Sequence, residues 1–250
     1  MTWVVGASTL FGYGIVISDV RVTCLNSGRT IDMLQKAFPV GKFIVAGFAG
    51  DVRAGLALLE NLYSFLNSVE VVEDELCDPQ WVVDNWPTEA RKIYQNLGEV
   101  GDTHILMMGL KSKKQAMGGA IGHLSVFRSP QFMPETQIGG QKTMSIGCGA
   151  EVDEYTTILK EIMLGPYLNY MRGELFNIGG YGNRIADVLN WMAKENPASG
   201  ISRHFQLFII SMGQIVQWNP QDLPRLAQSW DELTIMLDQD IEPQLLVASS

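Results

Sequence analysis

An α+β fold, with two sheets face to face and helices over both outer faces (a four-layer αββα sandwich), is predicted by three features of the sequence. Strand-like and helix-like runs are segregated, in the order strands, two helices, strands, two helices, strands, which suits layered α+β proteins better than alternating βαβ units. Residues 13–18 are apolar almost without interruption, so a strand there needs cover on both faces. The 250 residues suffice for one substantial core. No repeat, low-complexity run or domain boundary divides them, so residues 1–250 read as a single domain with a C-terminal extension from about 220 to 250.

The elements follow in order. Residues 2–9 are β-rich, and Phe11-Gly12 separates them from residues 13–18, a hairpin signal. Residues 19–23 continue the second strand with alternating polar positions, which puts Asp19, Arg21 and Thr23 on one face. Residues 25–29 form a loop around Asn26-Ser27-Gly28. Residues 36–40 and 42–47 make a second hairpin about Gly41, and Asp51 caps an amphipathic helix over 52–67. There Gly55, Leu58, Leu59, Leu62 and Leu66 recur at the helical period. Asp78-Pro79 opens a helix to about Leu97, with Pro87 as a kink or break. Residues 103–111 and 123–128 are partner strands, and 143–147 lead into Gly147-Cys148-Gly149. A long helix is expected from about 151 to 163, closed by Gly165-Pro166. Gly179-Gly180-Tyr181-Gly182 reads as a loop and Asn183 as the cap of a helix over 184–194. Residues 203–212 and 214–218 are a strand and its return, and 226–237 the last helix.

Composition narrows the function. The net charge of −9, without basic clusters, argues against nucleic acid as a partner. No apolar run is long enough for a membrane helix. The start, Met1-Thr2-Trp3-Val4-Val5, lacks the basic region of a signal peptide, and three cysteines without CxxC spacing fit a reducing compartment, so a cytoplasmic location is expected. The histidines have no metal-ligand spacing, so neither a metal nor another cofactor is expected. A charged fraction of only 18% suits a protein that buries part of its outside in an oligomer.

The chemistry concentrates in the first fifty residues. Thr2 becomes the first residue once the initiator methionine is removed. Its α-amine, with an ordinary pKa of about 7.7–8.0, can then act as general base for its own hydroxyl. A lysine ammonium nearby would lower that pKa and keep the base neutral. Lys36 is the candidate, with Asp19 to orient it, and Gly47 can offer its backbone N–H to an oxyanion. Each residue also has an ordinary reading: Asp19 and Arg21 as a surface ion pair, Lys36 as a solvated edge-strand lysine, Gly47 and Gly50 as turn glycines.

Together, Thr2, the Asp19-Val20-Arg21-Val22-Thr23 run, Lys36 and Ala46-Gly47-Phe48-Ala49-Gly50-Asp51 resemble the proteasome β-subunit family, which includes the bacterial HslV-type peptidase. The length and later insertions look most like the branch known as the betaproteobacterial proteasome homologue. The resemblance implies an amino-terminal nucleophile fold, Thr2 as nucleophile and base, Lys36 and Asp19 as its support, and Gly47 as the oxyanion glycine. It gives Arg21 the place of the arginine in an Asp-x-Arg motif. Thr23 would align substrate as an added strand, and Val45 and Ala49 would line an apolar pocket. Gly147-Cys148-Gly149 stands where the family has Gly-Ser-Gly, and Asn196-Pro197-Ala198-Ser199-Gly200 where it has Asp-x-x-Ser-Gly. Ser199 keeps the family's serine, while Cys148 is a weaker hydrogen-bonding group and Asn196 lacks the charge.

The implied function is a self-compartmentalising threonine endopeptidase, cleaving unfolded polypeptide inside a homo-oligomeric double ring of six- or seven-membered rings. An ATPase unfoldase is a candidate partner. Two rivals stand beside it: a ring scaffold whose chemistry has decayed, with Cys148 and Asn196 as its signs, and a small-molecule amide hydrolase on the same fold. A thiol pair of Cys24 or Cys148 with His104, His123 or His204 has no supporting spacing.

Overall fold

The computed structural model describes residues 3–9, 12–24, 28–68, 78–112, 120–151, 178–195, 202–212 and 214–247. They form a mixed α/β structure of antiparallel sheets with four helices among the described residues. The first sheet has the order β10-β1-β2-β11-β12, built from β1 (Trp3–Ser8), β2 (Gly14–Asp19), β10 (Lys142–Gly147), β11 (Phe205–Ile210) and β12 (Ile215–Trp218). The second runs β5-β6-β7-β8-β9, from β5 (Ala37–Gly41), β6 (Ile44–Gly50), β7 (Thr103–Ser112), β8 (Ala120–Arg128) and β9 (Pro134–Ile138). A separate two-stranded ribbon pairs β3 (Arg21–Thr23) with β4 (Thr30–Asp32).

Strand alternation decides which side chains meet. Val4 and Val16 of the first sheet, with Phe208 and Ile210, share one apolar cluster with Val45, Leu106, Met108 and Leu124 of the second, so the two sheets face each other. The other faces are covered by helices. Ala46, Phe48, Ile105 and Met107 pack with Leu58, Leu59 and Leu62 of α1 (Val52–Leu66) and with Val82 and Trp86 of α2 (Pro79–Asn96). Trp3, Val5, Ile15, Ile17 and Leu207 pack with Tyr181, Ile185, Leu189 and Met192 of α3 (Ile178–Glu195). Leu233 of α4 (Trp230–Val247) joins the α1–α2 cluster. None of the described helices is long and apolar enough to cross a membrane.

Local sequence rules account for the first half well. Asp51 caps α1 by accepting from the Ala54 amide at 2.9 Å. Asp78 caps α2 with Pro79 in its first turn. Pro87 lies inside α2 without ending it; with Trp86 and Pro87 both buried, packing on the sheet holds the helix together through the lost hydrogen bond.

Four expectations are corrected. The strand expected over residues 13–23 breaks at Val20, so Asp19 ends a sheet strand and Arg21 begins the ribbon. The turn of the second hairpin falls at Lys42-Phe43, after an irregularity between Pro39 and Gly41. The C-terminal helix begins at Trp230 and extends to Val247. The loop expected at Gly179-Gly180-Tyr181-Gly182 is the first turn of α3. Tertiary contact overrides propensity there: Tyr181 is buried, and a Cβ on Gly182 would lie 2.4 Å from the Trp218 ring, so only glycine lets the helix approach β12 this closely. The helix expected over 151–163 lies outside the described residues.

Gly182→Ala therefore trades helix propensity against a clash. It should destabilise the protein by about 1–3 kcal/mol in urea titrations. In a Trp218→Ala background the same change should stabilise by up to about 1 kcal/mol. Equal effects in both backgrounds would exclude the Trp218 contact as the cause.

Candidate active site

Asp19 ends β2 in the first sheet, and Lys36 immediately precedes β5 in the second. Their side chains meet where the two sheets come together: Lys36 Nζ donates to Asp19 Oδ1 at 2.8 Å, with both side chains essentially sealed from solvent at 0% and 1% exposure. Lys36 Nζ also donates to the backbone carbonyl of Arg21. The Trp3 amide donates to the same Asp19 Oδ1 at 3.1 Å. Asp19 Oδ2 is buried with no hydrogen-bond partner among the described residues. The Lys36 carbonyl accepts from the Phe48 amide at 3.0 Å, which fixes the lysine backbone to β6. A buried ion pair of this kind adds little net stability over an apolar replacement, but loss of one member leaves a stranded charge.

Beside the pair, Asp32 gathers four donors. Arg21 Nε reaches Oδ1 at 2.8 Å and Arg21 Nη2 reaches Oδ2 at 3.4 Å, across the register of the ribbon. Ser202 Oγ donates to Oδ2 at 2.6 Å, and His204 Nδ1 lies 2.9 Å from the same oxygen. A carboxylate only accepts, so the proton of the histidine contact sits on Nδ1. Burial pushes the Asp32 carboxyl up, but hydrogen bonds from Arg21, Ser202 and His204 and the Arg21 charge together hold it below the ordinary carboxylate value. The sequence reading missed Asp32. Its one signal was an acidic residue on the far side of a loop from Arg21, with Ser202-x-His204 far away in the chain. Arg21 is therefore not a surface partner of Asp19: it pairs with Asp32 through its side chain and with Lys36 through its carbonyl.

The other expected residues divide. Thr2, Asn196 and Ser199 lie outside the described residues. Cys148 opens a short 3₁₀ turn directly after Gly147, which pairs with Trp3, and it packs against the cluster containing Trp3. Thr23 is half-buried in the ribbon opposite Thr30.

Gly47 and the pocket residues need correction. In the β6–β7 ladder Asp51 N donates to Asp102 O and Leu110 N to Phe43 O, so the odd-numbered groups of this strand point at β7. The Gly47 N–H is thus turned toward Leu106 and away from Lys36, and it is not presented to an oxyanion. Gly47 contributes clearance instead: a Cβ there would lie 2.9 Å from Val4 Cγ1 and 3.1 Å from the Lys36 carbonyl. Val45 and Ala49 are 0% and 1% exposed in the cluster between the sheets, so they line no open pocket. An apolar cavity of about 520 Å³ lies elsewhere, among Phe38, Leu56, Tyr63 and Trp230, and none of the ion-pair residues lines it.

No protein-family model matches this chain, and no curated protein matches it. Among the described residues no three His, Cys, Asp or Glu side chains gather as a metal-binding group.

Two outcomes follow from these contacts. Lys36→Ala should destabilise by about 3–5 kcal/mol, because Asp19 is left buried and unpaired. The double variant Lys36→Met with Asp19→Asn should lose much less, since asparagine can still accept from Trp3 without a charge. Denaturant midpoints decide whether the charge is responsible.

The second outcome concerns pH. Asp32 has a depressed pKa in the folded state, so its contribution is present above the unfolded carboxylate value and lost as pH falls through the folded one. The stability gap between the wild type and Asp32→Ala should be full near neutrality and shrink in acid, and a gap that widens in acid would contradict this.

Proposed function

We propose that the two facing sheets and their helices form a four-layer αββα sandwich of the amino-terminal nucleophile type, and that the protein is a threonine peptidase acting through Thr2. The observation that carries this reading is the Trp3 amide on Asp19 Oδ1, the oxygen that also receives Lys36 Nζ. Trp3 is joined to Thr2 by one peptide bond, so the sealed lysine–carboxylate pair is bound one residue along the chain from the proposed nucleophile.

The chemistry follows from that connection. With Met1 removed, the Thr2 amine takes the hydroxyl proton as the Thr2 oxygen attacks a substrate carbonyl. On this reading the Lys36 ammonium stands close to that amine and favours the neutral form needed for this step. The C–N bond then breaks, the protonated amine returns its proton to the leaving amine, and an ester to Thr2 remains. Water, deprotonated by the same amine, releases the acyl group and restores the hydroxyl. We read the physiological form as a cytoplasmic homo-oligomeric double ring that takes unfolded polypeptide, with an ATPase unfoldase as a candidate partner.

A second reading, a ring scaffold without turnover, is favoured by two observations. The Gly47 N–H is engaged toward β7, and Cys148 follows Gly147 where a serine would serve the amine better.

Intact mass with and without an epoxyketone probe separates the two, because that probe needs both the threonine hydroxyl and its free amine. The peptidase reading expects loss of Met1 and one adduct, absent in Thr2→Ala. Retained methionine, or a processed chain that takes no adduct, would favour the scaffold.

A further inference from the structure

We propose that the cavity between α1, β5 and the start of α4 binds a free peptide of about three apolar residues, with its carboxylate on Arg53 and its amine on Glu60. The site rests on the geometry of the cavity. Only the origin of such a peptide rests on the threonine-peptidase reading, which would release one.

The cavity has a volume of about 520 Å³, within the range of about 300–1,000 Å³ where small-ligand sites fall. Phe38 and Val40 of β5, Leu56 and Leu59 of α1, and the rings of Tyr63 and Trp230 form its apolar walls. Tyr63 is 54% and Trp230 42% exposed. Two open aromatic rings on one concave surface leave apolar area that an occupant would remove from water.

Two charged side chains line the same cavity, Arg53 and Glu60. Both are exposed, and among the described residues neither side chain takes part in a hydrogen bond or ion pair. They are seven residues apart on α1, so they share one face of the helix at positions about 10.5 Å apart along its axis. Helix neighbours that pair directly are three or four residues apart. A ligand with opposite charges at its two ends fits the wider gap. An extended peptide advances about 3.3 Å per residue, so a tripeptide separates its amine from its carboxylate by about 10 Å. A dipeptide falls short by one residue, and a longer extended peptide overshoots.

The order of the two charges sets the direction. The carboxylate end lies toward the start of α1 and the amine end toward Tyr63, with apolar side chains against Phe38, Leu56 and Trp230. Gln228, on the wall formed by the entry to α4, has its backbone amide on Glu232 and its side-chain amide uncommitted among the described residues. That side chain can donate to and accept from a peptide bond.

The test titrates the full chain with trileucine, N-acetyl-trileucine and trileucine amide, following the Trp230 indole N–H by NMR. Trileucine should give a saturable shift, and capping either end should raise Kd about threefold, the scale of an exposed charge pair. Arg53→Gln should abolish the penalty for the amide and keep that for the acetyl group, and Glu60→Gln should do the reverse. No saturable shift at Trp230, or equal Kd for the three peptides in the wild type, would overturn the proposal. Equal binding of the acetylated peptide would point instead to the chain end of a larger protein. Penalties that persist in both variants would overturn the assignment of Arg53 and Glu60.

The two readings fail separately. Epoxyketone adduct formation without trileucine binding would overturn this site and leave the peptidase. Trileucine binding in a processed chain that takes no adduct would keep the site and remove the proposed source of its peptide.

Discussion

The sealed contact between Lys36 and Asp19 is the constraint on which the rest of the arrangement depends. A lysine and an aspartate withdrawn from water lose a large solvation energy each, and only close pairing with further hydrogen bonds makes that tolerable. The structure supplies these from three directions: the Trp3 amide from β1, the Arg21 carbonyl from the ribbon, and the Phe48 amide that pins the lysine backbone to β6. The pair therefore ties the first sheet to the second at the place where the chain begins. Ordinary apolar packing, as in the cluster that holds Val4 and Val45, joins the sheets elsewhere but would tolerate small slips. A charge pair between them would not.

Around that pair the structure is asymmetric in a way that bears on function. Its amino-terminal side is ordered, with β1 fully buried and Trp3 packed under α3. Its other side depends on a ribbon of two three-residue strands, held by a carboxylate with four donors. On the peptidase reading, the expected site residues do not all gather among the described residues. Gly47, Val45 and Ala49 serve the strand ladder and the inter-sheet core, and Cys148 packs against the cluster that holds Trp3. Assembly of the oxyanion site, on the peptidase reading, falls to amides other than Gly47.

Much of the first half is legible in local sequence. Apolar runs that need cover on both faces, an aspartate before each of two helices, and a segregated order of strands and helices led to facing antiparallel sheets with helices outside them. It also singled out Asp19 and Lys36, by the order and spacing in which they follow Thr2. These features are legible because they depend on neighbours in sequence: caps, periodicity and turns act over a few residues.

The remaining features come from contacts between residues far apart in the chain. Asp32 meets Ser202 and His204 across some 170 positions, and no local pattern announces it. The three glycines before Asn183 read as a loop by propensity, yet Trp218 of a later strand makes a helix the better packing. The break at Val20, which gives Asp19 and Arg21 different partners, appears only once Lys36 reaches both the Asp19 carboxylate and the Arg21 carbonyl. Even the direction of the Gly47 amide is set by register with β7, more than fifty residues away, since the alternation of a ladder is fixed by the strand that pairs with it.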